Sequence, residues 1–370
     1  MRPRFEVADV LHQLGHNIER MGLNSWQLRT LSALRMCRTA QLGGHVDSCD
    51  SCGKMQLSYN SCRNRHCPKC QGHLRERWME ARMAELLPTT YFHVVFTLPN
   101  QFNALAINNQ SLVYNLLFDA AWQTIHSFAN QKGLLPGMIS ILHTWGQNLS
   151  LHPHLHCIVL GGGVNPIGKW NNIRKDGKFL FPVQAMSKVF RGKFLSVVKH
   201  LRLLDQKGID DLYATPWIVY AKRPFGGSQA VVEYLGRYTH KIAISNHRIR
   251  EVDDTNVVFD YKDYKASGVK KPMRLSHEEF IRRFSQHILP KRFVRIRHYG
   301  FLSSTWKRKK LKVLQSALRV KAPIKQQSKS VHKKCPCCKT GNLITILVFD
   351  RRGPPDMVFG RAASSVACDC

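Results

Sequence analysis

The stretch of sequence that decides the fold is Leu151-His152-Pro153-His154-Leu155-His156-Cys157-Ile158-Val159-Leu160. Side chains alternate between the two faces of a β-strand, so His154 and His156 share one face and Leu155 lies on the other. Two imidazoles about 7 Å apart on a rigid strand can converge on one divalent ion, and the apolar residues that follow anchor the strand in a core. The pattern therefore predicts a metal-binding strand, and the alternative is a pair of solvated surface histidines.

The two histidines would leave coordination positions open for a phosphate oxygen and water. A third protein ligand is therefore expected. Gln147 is the nearest polar candidate, because it follows the strand predicted just before the histidine strand. His143 and His93 are the alternatives.

The sequence on both sides of the histidine strand predicts a mixed α+β fold. Further strands are predicted over residues 91–98, 139–145, 217–220, 242–245 and 257–261. Helices are predicted over residues 102–131, 187–204, 228–240 and 277–289, where apolar residues recur at helical spacing. The first 87 residues combine helical segments with a cysteine-rich stretch over 45–70, which lacks apolar periodicity and needs a metal or a disulfide to hold it.

The charge of the chain predicts a polyanionic partner. Its 370 residues carry 56 Lys and Arg against 24 Asp and Glu, a formal net charge of +32. A protein this basic repels itself unless it meets a polyanion, so nucleic acid is the first expectation. No apolar run approaches the roughly 20 residues that span a bilayer, and the N-terminus lacks a secretory signal. We therefore expect a cytoplasmic, nucleic-acid-associated protein with no membrane partner.

The cysteines of the first hundred residues predict a zinc site. In a reducing compartment, cysteines are interpreted as metal ligands before disulfides. Cys49-x2-Cys52 and Cys67-x2-Cys70 are two knuckles that together supply four thiolates for tetrahedral Zn²⁺. The alternative is a set of buried free thiols. Three further potential ligands lie outside these knuckles: Cys62, His45 and His66. They could complete a second site with Cys37, or replace one of the four ligands.

Two further features near cysteines leave alternatives open. Arg63, Arg65 and Lys69 give the knuckles a basic face that suits phosphate contact, although a solvated shell around a structural zinc would have the same charge. In the tail, Cys335 and Cys338 supply half of a zinc ribbon. Their candidate partners are Cys368 and Cys370, which are one residue apart rather than two.

A second candidate site lies on the helix predicted over residues 228–240. Tyr234 and Tyr238 are four residues apart and therefore lie on one helical face. Such pairs are usually packing residues, but beside a metal site on a DNA-binding chain they are candidate nucleophiles. Attack on a phosphodiester would give a phosphotyrosine that conserves the bond energy for rejoining. Arg237 and Lys241 are suited to bind the flanking phosphates.

These features in this order resemble the HUH nucleases, and specifically the two-tyrosine rolling-circle transposases of bacterial insertion sequences. The likeness is carried by the cysteines from 49 to 70 with Arg63-Asn64-Arg65-His66, by His143-Thr144-Trp145-Gly146-Gln147-Asn148 with the histidine strand, by Tyr234-Leu235-Gly236-Arg237-Tyr238-Thr239-His240, and by Arg297-His298-Tyr299-Gly300-Phe301-Leu302. It covers most of residues 1–310.

The resemblance implies an HUH core, an antiparallel sheet flanked by helices, with Mg²⁺ or Mn²⁺ at the histidines. It implies nicking of single-stranded or hairpin DNA ends of the element, a 5′-phosphotyrosine intermediate and a free 3′-OH. On this basis residues 1–87 would form a helical zinc-binding DNA-binding domain, 88–250 the catalytic core, 251–320 a basic C-terminal part, and 321–370 a linker with a cysteine-bearing tail.

Two other functions stay open on the sequence alone. A rolling-circle replication initiator or relaxase would share the chemistry, although the zinc head argues against it. A non-catalytic zinc-finger DNA-binding protein would use the histidines and tyrosines for packing. The sequence leaves the oligomeric state open.

Overall fold

The computed structural model describes residues 3–174, 180–222, 230–231, 234, 236, 239, 241–320 and 333–353, without the side chains of residues 72–75, 77 and 265. The described strands, numbered in chain order, are β1 (Gly44–Cys49), β2 (Met55–Tyr59), β3 (Tyr91–Thr97), β4 (Leu135–Trp145), β5 (Leu151–Val164), β6 (Trp170–Asn172), β7 (Val219–Ala221), β8 (Ile249–Val252), β9 (Asn256–Asp263), β10 (Val269–Ser276), β11 (Ile296–Gly300) and β12 (Leu343–Phe349). The described helices are α1 (Val7–Leu14), α2 (Ser25–Arg35), α3 (Gln71–Met83), α4 (Asn103–Asn108), α5 (Gln110–Asn130), α6 (Val183–His200), α7 (Gln206–Ala214), α8 (His277–Ser285), α9 (Ser304–Trp306) and α10 (Lys312–Ala317), with a π-helical turn (Lys307–Leu311) between the last two. The predicted α+β class is confirmed.

The central sheet has the order β11-β4-β5-β3-β7, and β6 pairs with the far end of β5. Every one of these pairings is antiparallel. Each face of β5 is buried in a different core. Leu155, Cys157 and Val159 pack with α5 and α6, whereas Ile158 and Leu160 pack with the C-terminal helices. Period-two alternation therefore puts His154 and His156 on the face that carries Ile158.

The N-terminal helices pack against the segment that follows the tyrosines. Asn24 caps α2 by accepting a hydrogen bond from the Gln27 backbone amide (2.9 Å). Leu11 and Leu31 share one apolar core with Phe259 of β9 and Phe280 of α8. Two regions that are far apart in sequence therefore form one packed unit.

One predicted strand is wrong. Residues 242–245 do not form a strand; Ala243 and Ile244 are instead buried in the core of the N-terminal helices. An apolar run can be buried without pairing in a sheet, and four residues are too few for periodicity to separate these cases.

The tail is part of a small sheet at the N-terminal end of the chain. β12 pairs antiparallel with β1, from Gly44 opposite Phe349 to Cys49 opposite Leu343, and β2 pairs with the other edge of β1. The sheet order is therefore β12-β1-β2. Among the described residues, no helix is long and apolar enough to cross a membrane.

Candidate metal centre and cysteine clusters

Three imidazoles meet on one face of the central sheet. His154 and His156 lie two residues apart on β5, and His143 of β4 is directly opposite His154 in the ladder. The ring centre of His143 is 4.6 Å from that of His156 and 5.5 Å from that of His154. One nitrogen from each of the three rings lies within 4.8 Å of the other two. This histidine centre can hold one metal ion.

Hydrogen bonds hold the two strand histidines in place, and for His154 they also decide which nitrogen can bind a metal. Nδ1 of His154 is 2.7 Å from the carbonyl oxygen of His152, which can only accept, so Nδ1 carries the proton and Nε2 the lone pair. Nδ1 of His156 lies 2.9 Å from Nε2 of His93, a ring on the neighbouring strand β3. His154 therefore offers Nε2, and a partner orients each of the two strand rings from behind, as is usual for metal-binding histidines.

Burial and positive charge keep these rings neutral. Burial lowers the pKa of His154 to about 4, and the nearby charge of Lys241 contributes. Burial and the neighbouring imidazoles lower the pKa of His156 further still. The pKa of His93 falls to about 4 through burial and the charge of Lys222. At neutral pH the lone pairs of these rings are therefore not blocked by protons.

Tyr234 lies against the same face of the sheet. All described residues between 230 and 239 are helical. Val231 packs into the core on the same side of the sheet as the histidines, and Tyr234 follows one turn later. The hydroxyl oxygen of Tyr234 is 3.3 Å from Nδ1 of His93, and the Lys222 ammonium lies 5.6 Å from the ring centre of Tyr234. Tyr234, His93 and His156 thus form a continuous chain of polar contacts. Tyr238 and Arg237 lie outside the described residues.

The third donor of the centre is His143, one of the two alternatives to Gln147. Gln147 lies in the turn after β4, where its backbone carbonyl accepts a hydrogen bond from Arg248. Its role as a metal ligand stays a prediction. Sequence reasoning also missed Lys222 beside the tyrosine, because a single lysine after a short strand carries no pattern.

The cysteines of the N-terminal region form a tetrad of their own. The four sulfurs of Cys37, Cys62, Cys67 and Cys70 lie within 4.8 Å of one another. Sγ of Cys37 is 3.6 Å from the sulfurs of both Cys67 and Cys70. We call these four residues the head tetrad. Four converging thiols suit structural zinc.

The structure corrects the predicted zinc ligands. A second group, which we call the split tetrad, consists of Cys49, Cys52, Cys335 and Cys338. The two predicted knuckles therefore belong to different tetrads, and the single site that combined them is wrong. The reason is tertiary: β12 pairs with β1 and brings the tail cysteines to the first knuckle. Neither His45 nor His66 is a member of either tetrad. Cys368 and Cys370 lie outside the described residues.

The predicted DNA-binding residues have different environments. Arg63 is exposed. Arg65 is half-buried and donates to the carbonyl oxygens of Pro290 (2.9 Å) and Phe293 (2.5 Å), which gives it a structural contact. The Lys69 ammonium lies 2.7 Å from the carboxylate of Glu6. Lys241 is close enough to the histidine centre to lower the pKa of two of its rings.

Comparison with known proteins adds independent findings. A family model described as "Transposase zinc-binding domain" matches residues 10–98, and one described as "Putative transposase" matches residues 137–310. The chain is 42% identical to a putative transposase, y4qJ, of Sinorhizobium fredii, over 95% of this chain and 97% of the relative. It is 27% identical to a transposase for insertion sequence element IS801 of Pseudomonas savastanoi pv. phaseolicola, over 83% of this chain and 78% of the relative. No solved structure matches the chain.

Proposed function

The chain belongs to the transposase family of these relatives, and from this premise we propose that it nicks and rejoins single-stranded DNA, or hairpin DNA, at insertion-sequence ends by tyrosine attack. Cleavage and rejoining would take place in the bacterial cytoplasm, as steps of rolling-circle transposition. One observation carries the proposal: Tyr234 contacts His93, which contacts His156 of a three-histidine centre.

The donor set of the histidine centre fits a divalent ion. Imidazole nitrogens bind Mn²⁺ better than Mg²⁺, which prefers oxygen, so Mn²⁺ is the better supported of the two expected ions. Nε2 of His154 and of His156 would hold it, with His143 as third ligand. A bound ion would polarise the scissile phosphate and offset the charge that develops on it.

Tyr234 would supply the attacking oxygen. As its bond to phosphorus forms, the bond between phosphorus and the 3′ oxygen breaks, leaving a 5′-phosphotyrosine and a 3′-OH. The proton that the phenol loses is balanced by the one that the 3′ oxygen gains. Because one phosphodiester replaces another, the reverse reaction rejoins DNA without an external energy source. Tyr238 would be the second nucleophile, which takes the second strand.

His93 would position the nucleophile. When His156 offers Nε2 to a metal, its Nδ1–H donates to Nε2 of His93, so the proton of His93 is on Nδ1 and points to the tyrosine oxygen. This bond orients a lone pair of Tyr234. Together with the Lys222 ammonium, it stabilises the negative charge that develops on the oxygen as its proton leaves.

Basic side chains around the centre would bind the DNA backbone. Lys241 would bind a phosphate next to the scissile one; the effect of its charge on His154 and His156 supports this role. Arg63, exposed in the loop of the head tetrad, and Arg237 would contact phosphates further along the strand.

The test is a cleavage assay with labelled single-stranded oligonucleotides from the element ends and Mn²⁺. We expect a covalent protein–DNA product that disappears in the Tyr234→Phe, Tyr238→Phe double variant. Tyr264→Phe is the matched control, because Tyr264 is 72% exposed and its variant should cleave normally. Covalent product that persists in the double variant would refute the assignment of the nucleophile. Excision of a marked element in cells separates a transposase from a replication initiator.

A further inference from the structure

We propose that the split tetrad binds a second structural zinc ion, which fastens the C-terminal tail to the N-terminal region of the chain. Cys49 is the last residue of β1 and Cys52 lies in the turn after it, whereas Cys335 and Cys338 lie in the segment before β12. The tail cysteines lie outside both segments that match transposase families. The site would therefore be closed by a part of the chain that neither family model covers.

The sulfur positions fit a tetrahedral zinc ion. Zn–S bonds of about 2.3 Å in a tetrahedron separate neighbouring sulfurs by about 3.8 Å. Sγ of Cys49 is 3.6 Å from that of Cys338, and Sγ of Cys52 is 3.7 Å from that of Cys335. Each distance joins a sulfur of the pair Cys49 and Cys52 to a sulfur of the pair Cys335 and Cys338. The two halves are thus already spaced as edges of one coordination sphere.

Backbone amides are arranged for charged thiolates. The amides of Ser51 and Cys52 both donate to Sγ of Cys49 at 3.4 Å, and the amide of Gly341 donates to Sγ of Cys338 at 3.3 Å. The two pairs, Cys49 with Cys52 and Cys335 with Cys338, have the same Cys-x2-Cys spacing, and in each pair one sulfur accepts from at least one backbone amide. Such outer contacts orient metal ligands and offset their charge.

Gly341 allows the two knuckles to meet. A Cβ atom at this position would lie 2.4 Å from Sγ of Cys49 and 2.7 Å from Cβ of Ser51. Any side chain there would separate the tail from the first knuckle. The close approach of backbone to sulfur is what a closed site requires, because the ligands must surround the ion.

The small sheet has little apolar burial apart from Val46 and Phe349. Its buried cluster consists of Cys49, Cys335 and Leu343, with the remaining tail cysteines packed against it. On β12, Ile344, Ile346 and Val348 are 50%, 57% and 72% exposed. A unit with so little apolar burial needs another source of stability, and metal binding supplies it in small domains.

The test is the zinc content of the purified full chain, measured in a His156→Ala background so that the histidine centre contributes no ion. We expect two zinc ions per chain, one for each tetrad. The Cys335→Ser, Cys338→Ser double variant should fall to one. Cys337→Ser is the matched control, since this third tail cysteine is not a member of the tetrad, and it should keep two. One ion per chain before substitution, or two in the double variant, would overturn the proposal.

A second variant keeps the test decisive if the double variant does not fold. Gly341→Ala leaves every ligand in place but puts a methyl group against Sγ of Cys49. We expect it to lose one zinc ion, whereas Gly192→Ala, where a Cβ meets nothing within 4 Å, should keep two. X-ray absorption of the His156→Ala chain should give four sulfur neighbours per zinc at about 2.3 Å. Nitrogen or oxygen in that first shell would contradict a tetrathiolate site.

Discussion

Replacing His143 with alanine removes one of the three imidazoles of the histidine centre and leaves His154 and His156 on β5. The sequence favoured Gln147 as the third ligand, whereas the structure brings His143 to within ligand distance of the pair. The comparison of His143→Ala with Gln147→Ala therefore tests the structure against the prediction. The Arg248 contact of Gln147 goes to its backbone carbonyl, so alanine at that position keeps the contact.

The expected size of the effect comes from the role of His143. Losing an outer partner of a metal ligand lowers metal affinity by about 10- to 100-fold, so losing a direct ligand should weaken Mn²⁺ binding by at least about 100-fold, or about 2.7 kcal/mol. Alanine at position 143 should also lower the stability of the protein, because His143 is buried and its ring stacks on that of Trp145, with 4.6 Å between the ring centres. His143→Phe keeps the stacking and removes the nitrogens. It should therefore lose Mn²⁺ affinity without the loss of stability expected for alanine.

The assay is Mn²⁺ titration by calorimetry on the free protein, followed by Mn²⁺ dependence of oligonucleotide cleavage. Gln147→Ala should change both by less than about 3-fold, since the three histidines would hold the ion without this half-buried turn side chain. Strong loss in Gln147→Ala with near-normal affinity in both His143 variants would refute the three-histidine centre. DNA binding measured without metal should be similar in all variants, because the net charge of +32 supplies most of the non-specific affinity.

Three further outcomes are expected. Burial lowers the pKa of His287 to about 4, so between pH 6.5 and 4 the unfolded chain binds a proton that the folded chain excludes. The free energy of unfolding should therefore fall by about 2 kcal/mol between pH 7 and 5 through this one residue. In His287→Asn the melting temperature should depend less on pH over that range. His93→Phe should slow cleavage about 10- to 100-fold with unchanged DNA binding, because it removes the contacts to His156 and Tyr234; an unchanged rate would contradict the positioning role. The logarithm of the affinity for single-stranded DNA should fall linearly with that of salt, and Lys241→Ala should reduce the slope by about 0.7; an unchanged slope would remove Lys241 from the DNA contacts.

Local sequence patterns predicted the parts of the fold that local physics determines. The alternation around His154 predicted the face of β5 correctly, because a period of two is a property of any strand. The strand predicted over residues 242–245 is wrong because local physics does not determine strand pairing. Four apolar residues indicate burial, and only the tertiary core decides whether they pair in a sheet or pack in a loop.

The candidate site shows the same limit at longer range. Cys-x2-Cys spacing identifies each pair of cysteine ligands, but it does not indicate which second pair completes the metal site. The pairing of β1 with β12 brings Cys338 to Cys49 across 289 residues of chain. The position of His93 between Tyr234 and His156 likewise depends on the order β5-β3 in the sheet, which a single buried histidine on a strand does not indicate.

The head tetrad is connected to the nucleophile through α3. Cys70 is the residue before the first turn of α3, and Met79 of the same helix packs on the tyrosine segment at Gly236, where a Cβ would lie 2.3 Å from the Met79 sulfur. A zinc ion in the head tetrad would thus fix the start of the helix that supports Tyr234. We expect Cys62→Ser to lose zinc and to lower cleavage at least about 10-fold while DNA binding changes little, because misplacing reacting groups by about 1 Å has large effects on rate.

The matched control is the Cys335→Ser, Cys338→Ser variant, which removes ligands of the split tetrad. That tetrad lies on the small sheet β12-β1-β2 and has no ligand on α3, so its loss should leave the position of the tyrosine unchanged. Cleavage should therefore be near normal in the tail variant and reduced in Cys62→Ser, although each lacks one zinc ion. Equal cleavage in the two variants would show that α3 does not transmit the state of the head tetrad to Tyr234.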